Sequence, residues 1–299
     1  MTRSVMASDG VRLAIYERGD PAAPTLLCVH GFPDDHSVWD GIAHELEATF
    51  HVVSFDVRGS GASDVPPHIS AYRLDQLADD IDRIIDAVAP GERVHLVGHD
   101  WGSVQAWHVA TGAVQHKIAS LSSISGPCLD HVPFWIGARL GAGPQGWREV
   151  LGMWKSPLYM GFFQIPWLAP LMCRLGVVDA VIKLAERFET GTPPPGRRGD
   201  RARENRGGLK IYSANLGPRL LRPQRRHTEV PVQVLAPRGD IFITAASQTD
   251  IARWTAAHRI RSVEGGHWAP AFRPAEIAGY IRAFADDQTA APQTKGPLP

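Results

Sequence analysis

Val97-Gly98-His99-Asp100-Trp101-Gly102 stands between an apolar run, Val94-His95-Leu96-Val97, and a helix-compatible stretch from Trp101 to Thr111. This is the pattern of a nucleophile elbow, G-x-Nu-x-G, where a strand turns sharply into a helix and one side chain is lifted clear of the sheet. Glycines flank the turn because a side chain there would clash as the backbone is strained. The lifted residue is Asp100, where serine is usual. A carboxylate is ionised at neutral pH without a helper base. It suits acyl transfer poorly, since the product would be a reactive anhydride. It suits attack on an sp3 carbon, which gives an ordinary alkyl ester. Opening of an epoxide or displacement of a halide is the chemistry expected, rather than cleavage of esters and amides.

Outward from the elbow, strand and helix signals alternate. Val11 to Tyr16, Thr25 to Val29, His51 to Phe55, Val94 to Val97 and Ile118 to Ile124 read as strands. Helical patterns lie between them at Ser37 to Leu46 and Leu74 to Val88. Such alternation predicts an α/β protein with a mostly parallel sheet and helices on both faces. The pattern breaks after Ser125-Gly126-Pro127. Cys128 to about Arg226 is rich in Trp, Leu, Met, Pro and Arg, with a helical piece at Leu171 to Phe188 and an extended connector at Thr192 to Gly196. Strand signals return at Val230 to Leu235 and His258 to Val263, before a last helix at Pro274 to Ala285. The predicted division is a core of residues 1–127 and 227–287, a helical lid over 128–226, and a disordered tail over 288–299.

Composition narrows the function classes. The chain has 299 residues, 44% of them hydrophobic, with 31 basic and 31 acidic side chains. This balance gives no reason to expect nucleic acid or an acidic membrane surface as a partner. Cys28, Cys128 and Cys173 have neither disulfide-rich nor zinc spacing and read as buried thiols. No signal peptide or membrane span is evident, so a cytoplasmic protein is expected. Nothing calls for a metal or an organic cofactor.

A carboxylate nucleophile needs a base to hydrolyse its ester. His267 follows the last strand in Val263-Glu264-Gly265-Gly266-His267, and Asp240 follows the preceding strand in Pro237-Arg238-Gly239-Asp240. The chain order nucleophile, acid, histidine is that of the α/β-hydrolase triad, with the acid orienting the imidazole. Asp130 is the alternative acid. His30-Gly31-Phe32-Pro33 sits directly after a strand, so the Phe32 N–H and the Trp101 N–H are the expected oxyanion donors. Asp56 and Arg58 read as braces for the loop near the site, and His30 and His99 as hydrogen-bonded core histidines.

Taken together, His30-Gly31-Phe32-Pro33, Phe55 to Ser63 (FDVRGSGAS) and Gly98 to Trp107 (GHDWGSVQAW) strongly resemble the epoxide hydrolases of the α/β-hydrolase superfamily. The last run is especially similar to the hydrolase half of actinobacterial proteins that fuse an epoxide hydrolase to a short-chain dehydrogenase. The resemblance implies two lid tyrosines that hydrogen-bond the epoxide oxygen and protonate the alkoxide. Tyr159, in Tyr159-Met160-Gly161-Phe162-Phe163-Gln164, and Tyr212, in Gly208-Leu209-Lys210-Ile211-Tyr212, match those motifs. A phenol with a pKa near ~10 remains protonated at neutral pH and matches an emerging alkoxide. Together with Phe32 and Trp101 these tyrosines are the expected substrate-binding residues. Substrate and water are the expected partners, in a monomer or homodimer.

Two other readings stay open. A haloalkane dehalogenase shares the Asp nucleophile, the following Trp and the acid–histidine pair, but has no use for proton-donating tyrosines, and many members carry Asn or Glu where Phe32 stands. A non-catalytic binding protein of the same fold typically lacks a triad member. Tyr159 also reads as a packing aromatic among Leu158, Phe162 and Phe163, and the Trp-rich lid suggests an apolar pocket for lipophilic or aromatic epoxides.

Overall fold

The computed structural model describes residues 2–152, 168–191 and 201–290. Its strands are β1 (Thr2–Met6), β2 (Arg12–Arg18), β3 (Thr25–Val29), β4 (His51–Phe55), β5 (Val94–His99), β6 (Ile118–Ile124), β7 (Val232–Pro237) and β8 (His258–Val263). They form one eight-stranded sheet in the order β1-β2-β4-β3-β5-β6-β7-β8. The β1–β2 and β2–β4 pairs are antiparallel and the remaining neighbours are parallel. Strands β3, β4, β5 and β7 are buried along their whole length. This is why they read as continuous apolar runs rather than alternating patterns.

Among the described residues the helices are α1 (Asp40–Leu46), α2 (Leu74–Val88), α3 (Trp101–Ala110), α4 (His131–Leu140), α5 (Pro144–Gly152) and α6 (Leu168–Arg174). They continue with α7 (Val177–Thr190), α8 (Arg201–Leu221), α9 (Ala245–Thr249), α10 (Ala269–Phe272) and α11 (Pro274–Ala290). The period of two along β3 divides the core. Leu26 and Cys28 pack on one face with Trp39, Ile42 and Ile277, from the side of α1 and α11. Leu27 and Val29 pack on the other with Leu77, Ile81 and Trp107, from α2 and α3. Helix α2 carries the matching stripe, burying Leu74, Leu77, Ile81, Ile84, Ile85 and Val88, each contributing about 1.5–3 kcal/mol. Helices α4 to α8 all lie between β6 and β7, which are neighbours in the sheet.

Three departures from the sequence reading have physical causes. Strand β1 gave no signal because it is an edge strand held by main-chain pairing to β2, with Met6 left 59% exposed. The helix expected over Leu171 to Phe188 is two helices, since Gly176 takes the left-handed conformation (φ 71°) and breaks the run. Helix α11 continues to Ala290, past Ala285 and into the expected tail; Thr289 Oγ1 donates to the Ala285 carbonyl at 3.0 Å. Cys28, Cys128 and Cys173 are buried thiols outside any disulfide. Among the described residues no helix is long and apolar enough to cross a membrane.

Candidate active site

The parallel strands deliver their C-terminal ends to one side of the sheet, the place where open α/β sheets bind ligands. Asp100 sits there at φ 53°, ψ −123°, a strained conformation for a residue with a side chain. Its N–H donates to the Ile124 carbonyl at 3.0 Å and its carbonyl accepts from Val104 at 3.1 Å, so both sides of the turn are pinned. Gly102 is required because a Cβ would run into the Val29 carbonyl of the adjacent strand. At Gly31 a Cβ would come within 2.5 Å of the Asp100 Cβ, so only glycine lets the β3 loop approach the elbow.

That approach brings the Phe32 N–H to Asp100 Oδ1 at 2.9 Å, and the Trp101 N–H also hydrogen-bonds the carboxylate. Asp100 is partly buried. Burial pushes its pKa up to about 7, against the pull of His267 and the two amides. Oδ1 is therefore held by the Phe32 main-chain N–H, and the Trp101 N–H gives the carboxylate a second main-chain donor.

His267 and Asp240 meet on the loops after β8 and β7. The imidazole Nδ1 lies 3.2 Å from each Asp240 oxygen. Asp240 Oδ1 also accepts the main-chain N–H groups of Phe242 and Ile243 at 2.8 and 2.9 Å. Burial opposes the Asp240 charge, but His267 and these donors hold its pKa below the ordinary carboxylate value. Burial likewise opposes a charged His267, yet the carboxylates of Asp240, Asp100 and Glu189 outweigh it and push the imidazole up to about 9. Asp130 is engaged elsewhere: Oδ2 takes the Arg226 guanidinium at 2.7 Å and Oδ1 accepts from the Gln224 N–H at 3.0 Å.

Tyr212, on α8, is only 4% exposed. Its ring stands edge-on to Trp101 at 4.8 Å and to Phe32 at 5.7 Å, over the two residues whose amides hold Asp100. Asn215, one turn on, bolts α8 to the core: its amide donates to the Tyr72 carbonyl at 2.8 Å and accepts the Leu74 N–H at 2.9 Å. Tyr159, Trp154, Trp167 and the 192–200 connector lie outside the described residues.

Supporting contacts complete the picture. His30 accepts the Val57 N–H on Nε2 at 2.9 Å. His99 donates from Nε2 to the His267 carbonyl at 2.8 Å, and burial holds its own pKa down to about 4. Asp56 gathers the His36 imidazole and the Tyr16 hydroxyl, and Arg58 pairs with Asp80 and Asp9. Two contributors escaped sequence reading. Glu189 accepts the His267 N–H at 2.6 Å from 78 positions away, and Asn215 acts across more than 140. Neither carries a motif; each is one polar residue on a helix, and only its partner gives it meaning.

Residues 24–150 match the family model described as alpha/beta hydrolase fold. A Mycobacterium tuberculosis protein named "Probable oxidoreductase EphD" is 33% identical over 293 residues, covering 96% of this chain and 50% of that protein. Epoxide hydrolase A of the same species is 31% identical over 204 residues, 65% of this chain and 56% of its own. The chain thus spans about half the length of these relatives. A solved epoxide hydrolase from Bacillus megaterium, complexed with its product (R)-3-[1]naphthyloxy-propane-1,2-diol, superposes with a TM-score of 0.74 at 21% identity, over 95% of this chain and 100% of that one. One from Vigna radiata gives 0.73 at 22% identity, over 96% and 98%. By sheet order, elbow geometry and these likenesses, the chain has the α/β-hydrolase fold.

Proposed function

We propose that this protein is an epoxide hydrolase that opens a lipophilic or aromatic epoxide to a vicinal diol through an ester on Asp100. The observation that carries the reading is an aspartate at the elbow, with one carboxylate oxygen seated on the Phe32 amide and the Tyr212 ring edge-on to Phe32 and Trp101. The name of the relative Epoxide hydrolase A points the same way. Helices α4 to α8 are taken as the lid, and the mechanism asks nothing of a metal or organic cofactor.

In the first step Asp100 Oδ2 attacks an epoxide carbon and the C–O bond breaks. The opening oxygen takes its proton from the Tyr212 hydroxyl, with Tyr159 as the second donor. The phenolate is reprotonated by the His267 imidazolium, which leaves the imidazole neutral. Esterification also removes the Asp100 charge that held His267 protonated, so its pKa falls as the ester forms. The imidazole thereby becomes a base when one is needed.

In the second step His267, oriented by Asp240, removes a proton from water as its oxygen adds to the Asp100 carbonyl. That carbonyl oxygen, Oδ1, already accepts the Phe32 N–H, and the Phe32 and Trp101 amides meet the negative charge as it develops. Donors of this kind contribute roughly 3 kcal/mol each. Collapse expels the diol oxygen, which takes the proton from His267; the carboxylic acid left on Asp100 then passes its proton to His267, which restores the carboxylate and the imidazolium.

A haloalkane dehalogenase is the competing reading. A departing halide calls for N–H donors, and a phenol over the Phe32 and Trp101 rings favours the alkoxide instead. The test is His267→Ala with styrene oxide and 1-bromobutane, scored by intact mass. Accumulation of a protein adduct equal to the epoxide mass is expected, with diol and no bromide from the wild type. Bromide without diol makes the protein a dehalogenase. No product and no adduct leaves a binding protein.

A further inference from the structure

The histidine loop has a neighbour that neither chemical step uses. Glu189 lies in the last turn of α7, within the helical insertion, and reaches back to the core. Its Oε1 accepts the His267 main-chain N–H at 2.6 Å and its Oε2 faces the Trp268 N–H at 3.5 Å. The carboxylate rests on Gly266, where any Cβ would overlap the Glu189 Cγ and Cδ atoms. Glycine at 266 is therefore the opening through which the lid side chain reaches the loop. The helix dipole disfavours a negative charge in a last turn, and burial disfavours it further. An acid kept there against both preferences is compensated by what it meets, two consecutive amides and the imidazolium.

We propose that Glu189 is a positioning residue, which latches helix α7 onto the histidine loop and holds the His267 imidazole in the attitude that ester hydrolysis requires. This rests on the hydrolytic role given to His267 above. The latch has two separable parts. Its hydrogen bonds fix the main chain that carries the imidazole. Its charge joins Asp240, from the loop after β7, and Asp100, from the elbow, in favouring the imidazolium, against burial and the nearby His99 of β5.

Three variants of the full chain separate these parts. Glu189→Gln keeps an acceptor and loses the charge, Glu189→Ala loses both, and Gly266→Ala keeps the charge but displaces it. Amide exchange at His267 and Trp268 and NMR titration of the His267 ring are read without substrate, then kcat and KM across pH. Glu189→Ala and Gly266→Ala are expected to raise exchange at both amides and to lower kcat about tenfold, with KM within about twofold. Glu189→Gln restores most of the protection and kcat. It also lowers the His267 midpoint, because a neighbouring negative charge is gone. A general base works when neutral, so its low-pH limb moves to lower pH with the midpoint.

Wild-type exchange and an unmoved titration in both Glu189 variants overturn the proposal. Should Glu189→Ala fail to fold, the titration of Glu189→Gln decides it by the same criterion. Exchange and titration need no turnover. A wild type that makes no diol defeats the hydrolase reading while these measurements still judge the latch.

Discussion

The ring of Tyr212 stands edge-on to that of Trp101, with centroids 4.8 Å apart and planes at 73°. Trp101 also supplies a main-chain N–H to the Asp100 carboxylate, so a phenol on α8 is anchored to a residue that holds that carboxylate. An α8 side chain and the elbow are thereby registered to each other by aromatic packing, worth about 0.5–1.5 kcal/mol beyond area burial. Tyr212→Phe keeps this packing and removes only the proton donor. Diol formation is expected to fall about 10- to 100-fold with little change in melting temperature. An unchanged rate, measured by chromatography of the diol, removes Tyr212 from the chemistry.

Asn215 supports the same helix from below. Replacing it with alanine strands the buried Leu74 N–H and Tyr72 carbonyl and is expected to cost about 2–3 kcal/mol of stability. Because Tyr212 lies one turn away, kcat falls as well. Denaturant titration and diol assay on one preparation check both. A loss of stability with full activity shows that α8 is positioned by other contacts.

Asp240 and Asp130 are separated by opposite signatures. Asp240→Asn withdraws the charge that orients and stabilises His267, and turnover is expected to drop roughly 10²- to 10⁴-fold. The fold survives, since the side chain still accepts from Phe242 and Ile243. Asp130→Asn weakens a buried partner of Arg226 and is expected to cost about 2 kcal/mol with near-normal turnover. The reverse pattern in stopped-flow and thermal data exchanges their roles.

The first chemical step carries a pH signature. In the proposed mechanism Asp100 attacks only when ionised; its pKa is pushed up to about 7, so alkylation is expected to weaken as pH falls through that value. The His267 imidazolium is among the influences holding that value down. In His267→Ala this influence is lost, the Asp100 pKa rises, and the midpoint of ester formation moves to higher pH. The rate of adduct formation by quenched-flow mass spectrometry reports it directly. A midpoint shifted to lower pH contradicts the assigned pairing.

How much of this was legible in the sequence depends on how far apart the partners lie. The elbow is local: Gly98, Asp100 and Gly102 fall within one turn, and the apolar runs on either side announce the strand and helix that the turn joins. Strands β3, β4 and β6 have their expected limits because an apolar segment buried along nearly its whole length advertises itself whatever surrounds it. The order of acid and histidine on loops after successive strands was readable for the same reason. An edge strand such as β1, sustained by main-chain pairing, leaves no such trace.

What only the tertiary structure decided is which polar groups meet across long stretches of chain. Asp240 rather than Asp130 faces His267, because the loops after β7 and β8 are adjacent whereas Asp130 is claimed by Arg226. Glu189 reaches His267 through the opening at Gly266, and Asn215 is wedged between Tyr72 and Leu74. A hydrogen bond is directional and holds over about 3 Å, so one residue's role depends on a partner that no local pattern encodes. Apolar burial is non-directional and spread over many residues, and its periodicity is written into the sequence itself.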